Sequence, residues 1–118
     1  MMDVLLTEPE KMFQRQMRDF VENEITPCAD EWDRRNELSY EAFLKMKGVG
    51  LTGLTIPEAY GGQGGSFMDA FLASVELARA SISVASICGT HVGLALSGLY
   101  HFGNEEQRQR FVVPAAKG

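Results

Sequence analysis

Between Ala80 and Phe102 the chain runs for twenty-three residues without a Lys, Arg, Asp or Glu. A run of that length meets the usual criterion for a membrane span. It also holds four serines, a threonine and three glycines, which make insertion into hydrocarbon expensive. The composition favours a helix over about 83–101 buried at the centre of a bundle, and no membrane span. The rest of the charge pattern agrees. Residues 1–47 carry eighteen of the twenty-seven charged side chains, and residues 48–103 carry only Glu58, Asp69, Glu76 and Arg79. The middle of the chain is therefore expected to be largely interior.

At 118 residues the chain suits one domain with a single core, residues 1–118. It shows no internal repeat and no linker that would divide it. A net charge of −5 provides no basic footprint, so nucleic acid is not an expected partner. Cys28 and Cys88 are read as reduced thiols rather than a disulfide. The stretch Met1 to Thr7 has too short an apolar run and no basic flank for a leader, which makes the cytoplasm the expected compartment.

Helical periodicity dominates. Phe13, Met17, Phe20, Val21, Ile25, Cys28 and Trp32 share one face of a 3.6-residue period. Thr7 suits the N-cap, Pro9 the first turn, and Glu8 and Glu10 the positive end of the dipole. Pro27 should kink or interrupt the helix, giving two nearly collinear helices over about 8–25 and 27–36. A third spans about 40–47, ended by Gly48 and Gly50, and Leu51 to Ile56 follows as an extended connector. A fourth, about 67–80, should turn Phe67, Ala70, Phe71, Ser74, Leu77 and Ala78 inward. The sixth starts at Glu105 with Asn104 as cap and Gln107 at its third position, and ends near Pro114. It should carry Arg108 and Arg110 outward and Phe111 inward. The fold class is all-α, an orthogonal or up-down bundle of about six helices.

The loop Tyr60-Gly61-Gly62-Gln63-Gly64-Gly65-Ser66 invites a nucleotide reading, which its spacing does not support. A dinucleotide fingerprint from Gly62 needs a glycine where Phe67 stands, and no glycine of the cluster precedes a Lys followed by Ser or Thr. The glycines are better explained as a sharp turn into a helix that Ser66 and Asp69 begin with a capping box.

In the charge-free helix Ala85, Gly89, Gly93 and Ser97 form a stripe of little side-chain volume, beside Ser86 and Thr90. Such a stripe expects a close neighbour, either another helix packed backbone to backbone or a slender apolar ligand in a slot. Catalytic groupings are scarce. Cys88 and His91 lack the further ligands a zinc site needs and suit a core pair. Glu76 is expected to pair with Arg79 or to face water, and His101 to complement a helix end. No catalytic residue is assigned.

Four segments in register carry a resemblance. They are Ile56-Pro57-Glu58-Ala59-Tyr60-Gly61-Gly62-Gln63-Gly64, Glu76-Leu77-Ala78-Arg79, His91, and Phe102-Gly103-Asn104-Glu105-Glu106-Gln107-Arg108-Gln109-Arg110-Phe111. In that order and near those separations they resemble the N-terminal helical domain of the acyl-CoA dehydrogenase family. The resemblance implies a flavoprotein that oxidises an acyl-CoA thioester to the trans-2-enoyl-CoA. A carboxylate takes the α-proton, the β-hydride passes to N5 of FAD, and electrons leave through an electron-transferring flavoprotein. It further implies that a β-domain and a C-terminal helical domain supply the FAD contacts and the catalytic glutamate. The chain would then be inactive alone, bound to the remaining dehydrogenase domains in a homo-oligomer. Carried across residue by residue, the family's acyl-pocket wall falls on Ser86, Ile87, Thr90 and Leu94. Acyl-CoA oxidases and flavin-dependent monooxygenases share a similar domain and stay open as alternatives, as does a stand-alone helical interaction module.

Overall fold

The computed structural model describes residues 4–37 and 39–118. Met1 to Asp3, part of the stretch tested for a leader, lie outside them. Among the described residues the chain forms five continuous helices and no strand: α1 (8–35), α2 (Tyr40–Gly48), α3 (Phe67–Ala80), α4 (Ile82–Phe102) and α5 (105–117). They pack into a slab of 40 × 39 × 19 Å, about two helix diameters thick.

The two expected N-terminal helices are one. Pro27 has no N–H and its ring crowds the preceding turn. The helix absorbs this by widening to π geometry over Val21–Ile25, where the Thr26 N–H bonds back five residues to the Val21 carbonyl. Thr7 caps α1 with a full capping box, its own N–H donating to Glu10 Oε2 at 2.7 Å. The apolar face is retained through the wide turn: Met17, Val21, Ile25, Ala29 and Trp32 are buried, with Phe13, Phe20 and Cys28 packed partly against them.

The Leu51 to Ile56 connector is compact rather than extended. Gly50 (φ 79°) reverses the chain after α2, and Leu51–Gly53 makes a turn of 3₁₀-helix. Both Leu51 and Ile56 are buried, in separate core clusters. On α3 the inward face is the expected one only in part: Leu77 is buried and Ala70 packs against the core. Leu72, Ala73, Glu76 and Leu77 are buried, whereas Phe67 and Phe71 are exposed and Ser74 and Ala78 face solvent. A buried carboxylate explains the rotation: Glu76 turns into the α1 interface, where Arg18 Nη2 donates to its Oε1 at 2.9 Å and Arg18 Nε to its Oε2 at 3.3 Å. The expected ion pair with Arg79 is also present, longer, at 3.8 Å.

α5 continues through Pro114 to Lys117. Its π turn, Arg108–Val112, precedes the proline as the one in α1 does. That turn brings Val112 and Ala116 inward and leaves Phe111 exposed. Arg108 is half-buried, donating to the Tyr100 carbonyl at 2.8 Å.

Candidate functional site

The glycine loop binds its own chain. The N–H groups of Tyr60, Gly61 and Gly62 donate to the carbonyls of Pro57, Glu58 and Pro57. Those of Gln63, Gly64 and Gly65 donate to Gly53, Ile56 and Leu54, at 2.8–2.9 Å. The Ser66 N–H donates to Asp69 Oδ2 at 2.7 Å, closing the expected capping box. A Cβ at Gly62 would collide with the Ile56 carbonyl, so only glycine fits there. With every N–H from Tyr60 to Ser66 taken, none is left to cradle a phosphate.

α4 is not the central, enveloped helix its composition suggests. It is long and apolar enough to cross a membrane by length and composition, yet only 22% of its most apolar window is buried. Val84, Cys88, Val92 and Leu96 face the core. Ser86, Gly89, Thr90, Gly93 and Leu94 are exposed. The middle of the small-residue stripe has no close neighbour within the described residues: a Cβ at Gly89 or Gly93 would meet nothing within 4 Å, whereas Ala85 packs against the core. The middle of the helix, Gly89–Leu96, is π, and its wider turn spreads side chains over two flanks.

An open groove lies along each flank. The first, about 530 Å³, runs between α3 and α4, with Phe67 and Phe71 on one wall and Gly89, Gly93, Ser97 and Tyr100 on the other. The second, about 620 Å³, lies on the α2 side, lined by Ser86, Ile87 and Thr90 together with Phe43, Ile82, Ser83, His91 and Ala95. Three of the four sequence-assigned wall residues thus meet in one groove. Leu94 lies outside its lining and is 76% exposed. Phe43 escaped sequence reasoning because it is far away in the chain, and Ala95 because only the π turn brings it onto this flank.

The chemistry of both grooves is apolar and hydroxylic. Among the described residues no carboxylate lines either. Glu76 is ion-paired and 2% exposed on the other side of α3, Asp69 is a cap, and Glu58 is exposed. The Cys88 thiol is pushed up to about 11 by burial and stays protonated, as expected of an inert core cysteine. Both cysteines are free. His91 is half-buried, its Nε2 2.8 Å from the Ala115 carbonyl oxygen. His101 is exposed and packs against Tyr100, ring centroids 5.0 Å apart. No group of three His, Cys, Asp or Glu residues able to hold a metal occurs among the described residues.

Comparison with known proteins gives a consistent answer. The family model described as acyl-CoA dehydrogenase, N-terminal domain, matches residues 7–118. A probable acyl-CoA dehydrogenase of Bacillus subtilis (strain 168) is 38% identical over 117 residues, which cover 99% of this chain and 31% of the relative. The solved butyryl-CoA dehydrogenase of Megasphaera elsdenii superposes with a TM-score of 0.85 at 30% identity, over 95% of this chain and 30% of that one. An acyl-CoA dehydrogenase from Bacillus anthracis, solved in complex with FAD, gives a TM-score of 0.84 at 29% identity, over 95% of this chain and 19% of that one. This chain therefore spans about a third or less of the proteins it matches. With a family model covering residues 7–118 and a fold that superposes on a solved member over 95% of its length, the chain belongs to the acyl-CoA dehydrogenase family, matching that family's N-terminal domain.

Proposed function

We propose that the chain serves as the N-terminal helical domain of an FAD-dependent acyl-CoA dehydrogenase, and that the α2-side flank of α4 forms the deep wall of its acyl pocket. The observation that carries this reading is the groove of about 620 Å³ in which Ser86, Ile87 and Thr90 meet the Phe43 ring. It is open to solvent and, among the described residues, lined by no Lys, Arg, Asp or Glu. Such a surface holds a hydrocarbon chain by removing it from water, at about 0.8 kcal/mol per methylene buried. Exposed Leu94 extends the apolar surface beside it.

The division of labour is the one the family resemblance implies: the base that removes the α-proton and the contacts to FAD belong to the remainder of the enzyme. Grooves lined by no carboxylate among the described residues, and a glycine loop with its N–H groups taken, are consistent with it. When bound, the flavin supplies the hydride acceptor. The electron-transferring flavoprotein as final acceptor, a homo-oligomeric state and a cytoplasmic location complete the proposal.

The test is a chain-length profile. In the complete enzyme, Thr90→Phe should shift the kcat/KM optimum toward shorter acyl-CoA thioesters. An unchanged profile would overturn the assignment of this wall. The 118-residue chain itself, mixed with acyl-CoA, FAD and an artificial electron acceptor, should show no turnover. Oxygen consumption in place of acceptor reduction by the complete enzyme would favour the oxidase or monooxygenase alternative.

A further inference from the structure

The C-terminal end of α5 is tied down by two side chains from elsewhere in the fold. The last carbonyls of a helix have no N–H partner within it. Here the Thr52 hydroxyl donates to the Ala116 carbonyl at 3.1 Å, and His91 Nε2 lies 2.8 Å from the Ala115 carbonyl oxygen. A carbonyl only accepts, so that nitrogen carries the proton and donates. The same oxygen accepts the Gly118 N–H at 3.1 Å, which occupies both its lone pairs.

The two anchors differ in what else they touch. Thr52 is buried in the 3₁₀ turn after α2 and lines neither groove beside α4. His91 stands in the middle of α4, half-buried, and lines the groove of Ser86, Ile87 and Thr90. Its ring meets that of Phe43 edge to face, centroids 5.1 Å apart and planes at 77°. Phe43, from α2, is a wall of the same groove. One imidazole thus joins three helices: it belongs to α4, bears on α2 through Phe43, and is fixed to α5 by a hydrogen bond. A ring pinned at one nitrogen cannot turn without breaking that bond, and the edge-to-face contact passes the constraint to its neighbour.

We infer that His91 is a positioning residue, whose bond to the end of α5 sets the place of the Phe43 ring and so couples the shape of the acyl groove to the seating of α5. This inference rests on the acyl-wall reading above. His91 acts through Phe43 and takes no part in the chemistry. The coupling runs both ways. A hydrocarbon chain packed against Phe43 tightens the last turn of α5, and freeing that turn weakens the hold on the chain.

The test reads both ends of the coupling in the complete enzyme. Each variant is saturated with an alkyl-CoA thioether, which lacks the carbonyl that makes the α-proton acidic, and hydrogen exchange at Ala115 to Gly118 is followed by mass spectrometry. In the unmodified enzyme the ligand should slow that exchange by about two- to ten-fold, the factor a single hydrogen bond is worth. Thr52→Val removes the anchor that does not touch the groove, so exchange should be faster throughout and the slowing by ligand retained. His91→Phe keeps a ring against Phe43 but has no donor. Its exchange should not respond to ligand, and its KM for acyl-CoA should rise about two- to ten-fold, with a smaller change in kcat. Phe43→Leu, which cuts the other link, should lose the response as well and carries the test should His91→Phe fail to fold.

No slowing in the unmodified enzyme, or slowing that survives in His91→Phe or Phe43→Leu, would overturn the inference. If Thr90→Phe shortens the preferred acyl chain while His91→Phe behaves as Thr52→Val does, the positioning role is wrong and the acyl wall stands. If Thr90→Phe leaves the chain-length profile unchanged, the acyl wall has failed and the positioning role with it.

Discussion

Glu76 forms the ion pair with Arg79 that its spacing announces and a nearer one with Arg18. Its carboxylate is 2% exposed, held by Arg18 from α1 and within 3.5 Å of Gln14 Nε2. Nothing near it in sequence announces its burial or a partner fifty-eight positions away. Caps, by contrast, are legible because donor and acceptor stand three residues apart, as Thr7 with Glu10, Ser66 with Asp69 and Asn104 with Gln107 show. Glu76→Ala should cost about 1–3 kcal/mol in urea unfolding, because it removes a buried acceptor from Gln14 and from Arg18, whose side chain is 42% exposed. Replacing Glu8, an exposed member of a surface pair with Lys11, should change stability by less than about 0.5 kcal/mol. Cys88 supplies a pH test. Burial raises its thiol from 9.0 to about 11, so the unfolded chain releases this proton before the folded one does. Its contribution to stability is fully present below pH 9 and is lost as pH rises toward 11. The urea midpoint should fall over that interval, and the part of the fall due to Cys88 should vanish in Cys88→Ala. An identical pH dependence in the two proteins would contradict the assignment.

Two helices pass through a proline, at Pro27 and Pro114, and in each a π turn ends two residues before it. The extra residue in the turn makes room for the missing N–H bond and the ring. That is why an apolar face continued in phase across Pro27, a feature visible in the sequence, while the continuity of the backbone was not. In α1 and α5 the proline is the readable signal, though it reads as a break or an end, while the π segment of α4 has no proline to announce it. The π geometry also explains why Arg108 and Phe111 exchanged their expected sides on α5. A proline forced into a regular helix interior costs about 3 kcal/mol or more. Here the strain is already relieved, so Pro27→Ala should alter stability by less than about 1 kcal/mol. A gain of 3 kcal/mol on denaturant unfolding would mean the π turn relieves nothing.

At the scale of the whole molecule the slab is only 19 Å thick, and this decides how α4 is exposed. The absence of charge from Ala80 to Phe102 marks a surface that is apolar without being covered inside this chain. Helix existence, the all-α class and one groove-lining set, Ser86, Ile87 and Thr90, were legible from periodicity and resemblance. What the exposed flank meets was not, because nothing within the described residues covers it. Phe67 and Phe102, 87% and 91% exposed, and Leu94 add to the open apolar surface. The chain alone should therefore self-associate, with sedimentation showing a mass that rises with concentration; a clean monomer at high concentration would argue against it. Gly93→Ala probes the same surface. In the isolated chain its Cβ meets nothing, and stability should rise by about 0.5–1 kcal/mol.

The most direct measurement is covalent. An acyl-CoA carrying a photoreactive diazirine at its terminal carbon is irradiated in complex with the complete enzyme, and the adduct is mapped by mass spectrometry. The account predicts labelling of the α2-side flank of α4, at Ser86, Ile87, Thr90 or the adjoining Phe43. Labelling confined to α1, α5 or the glycine loop would contradict it.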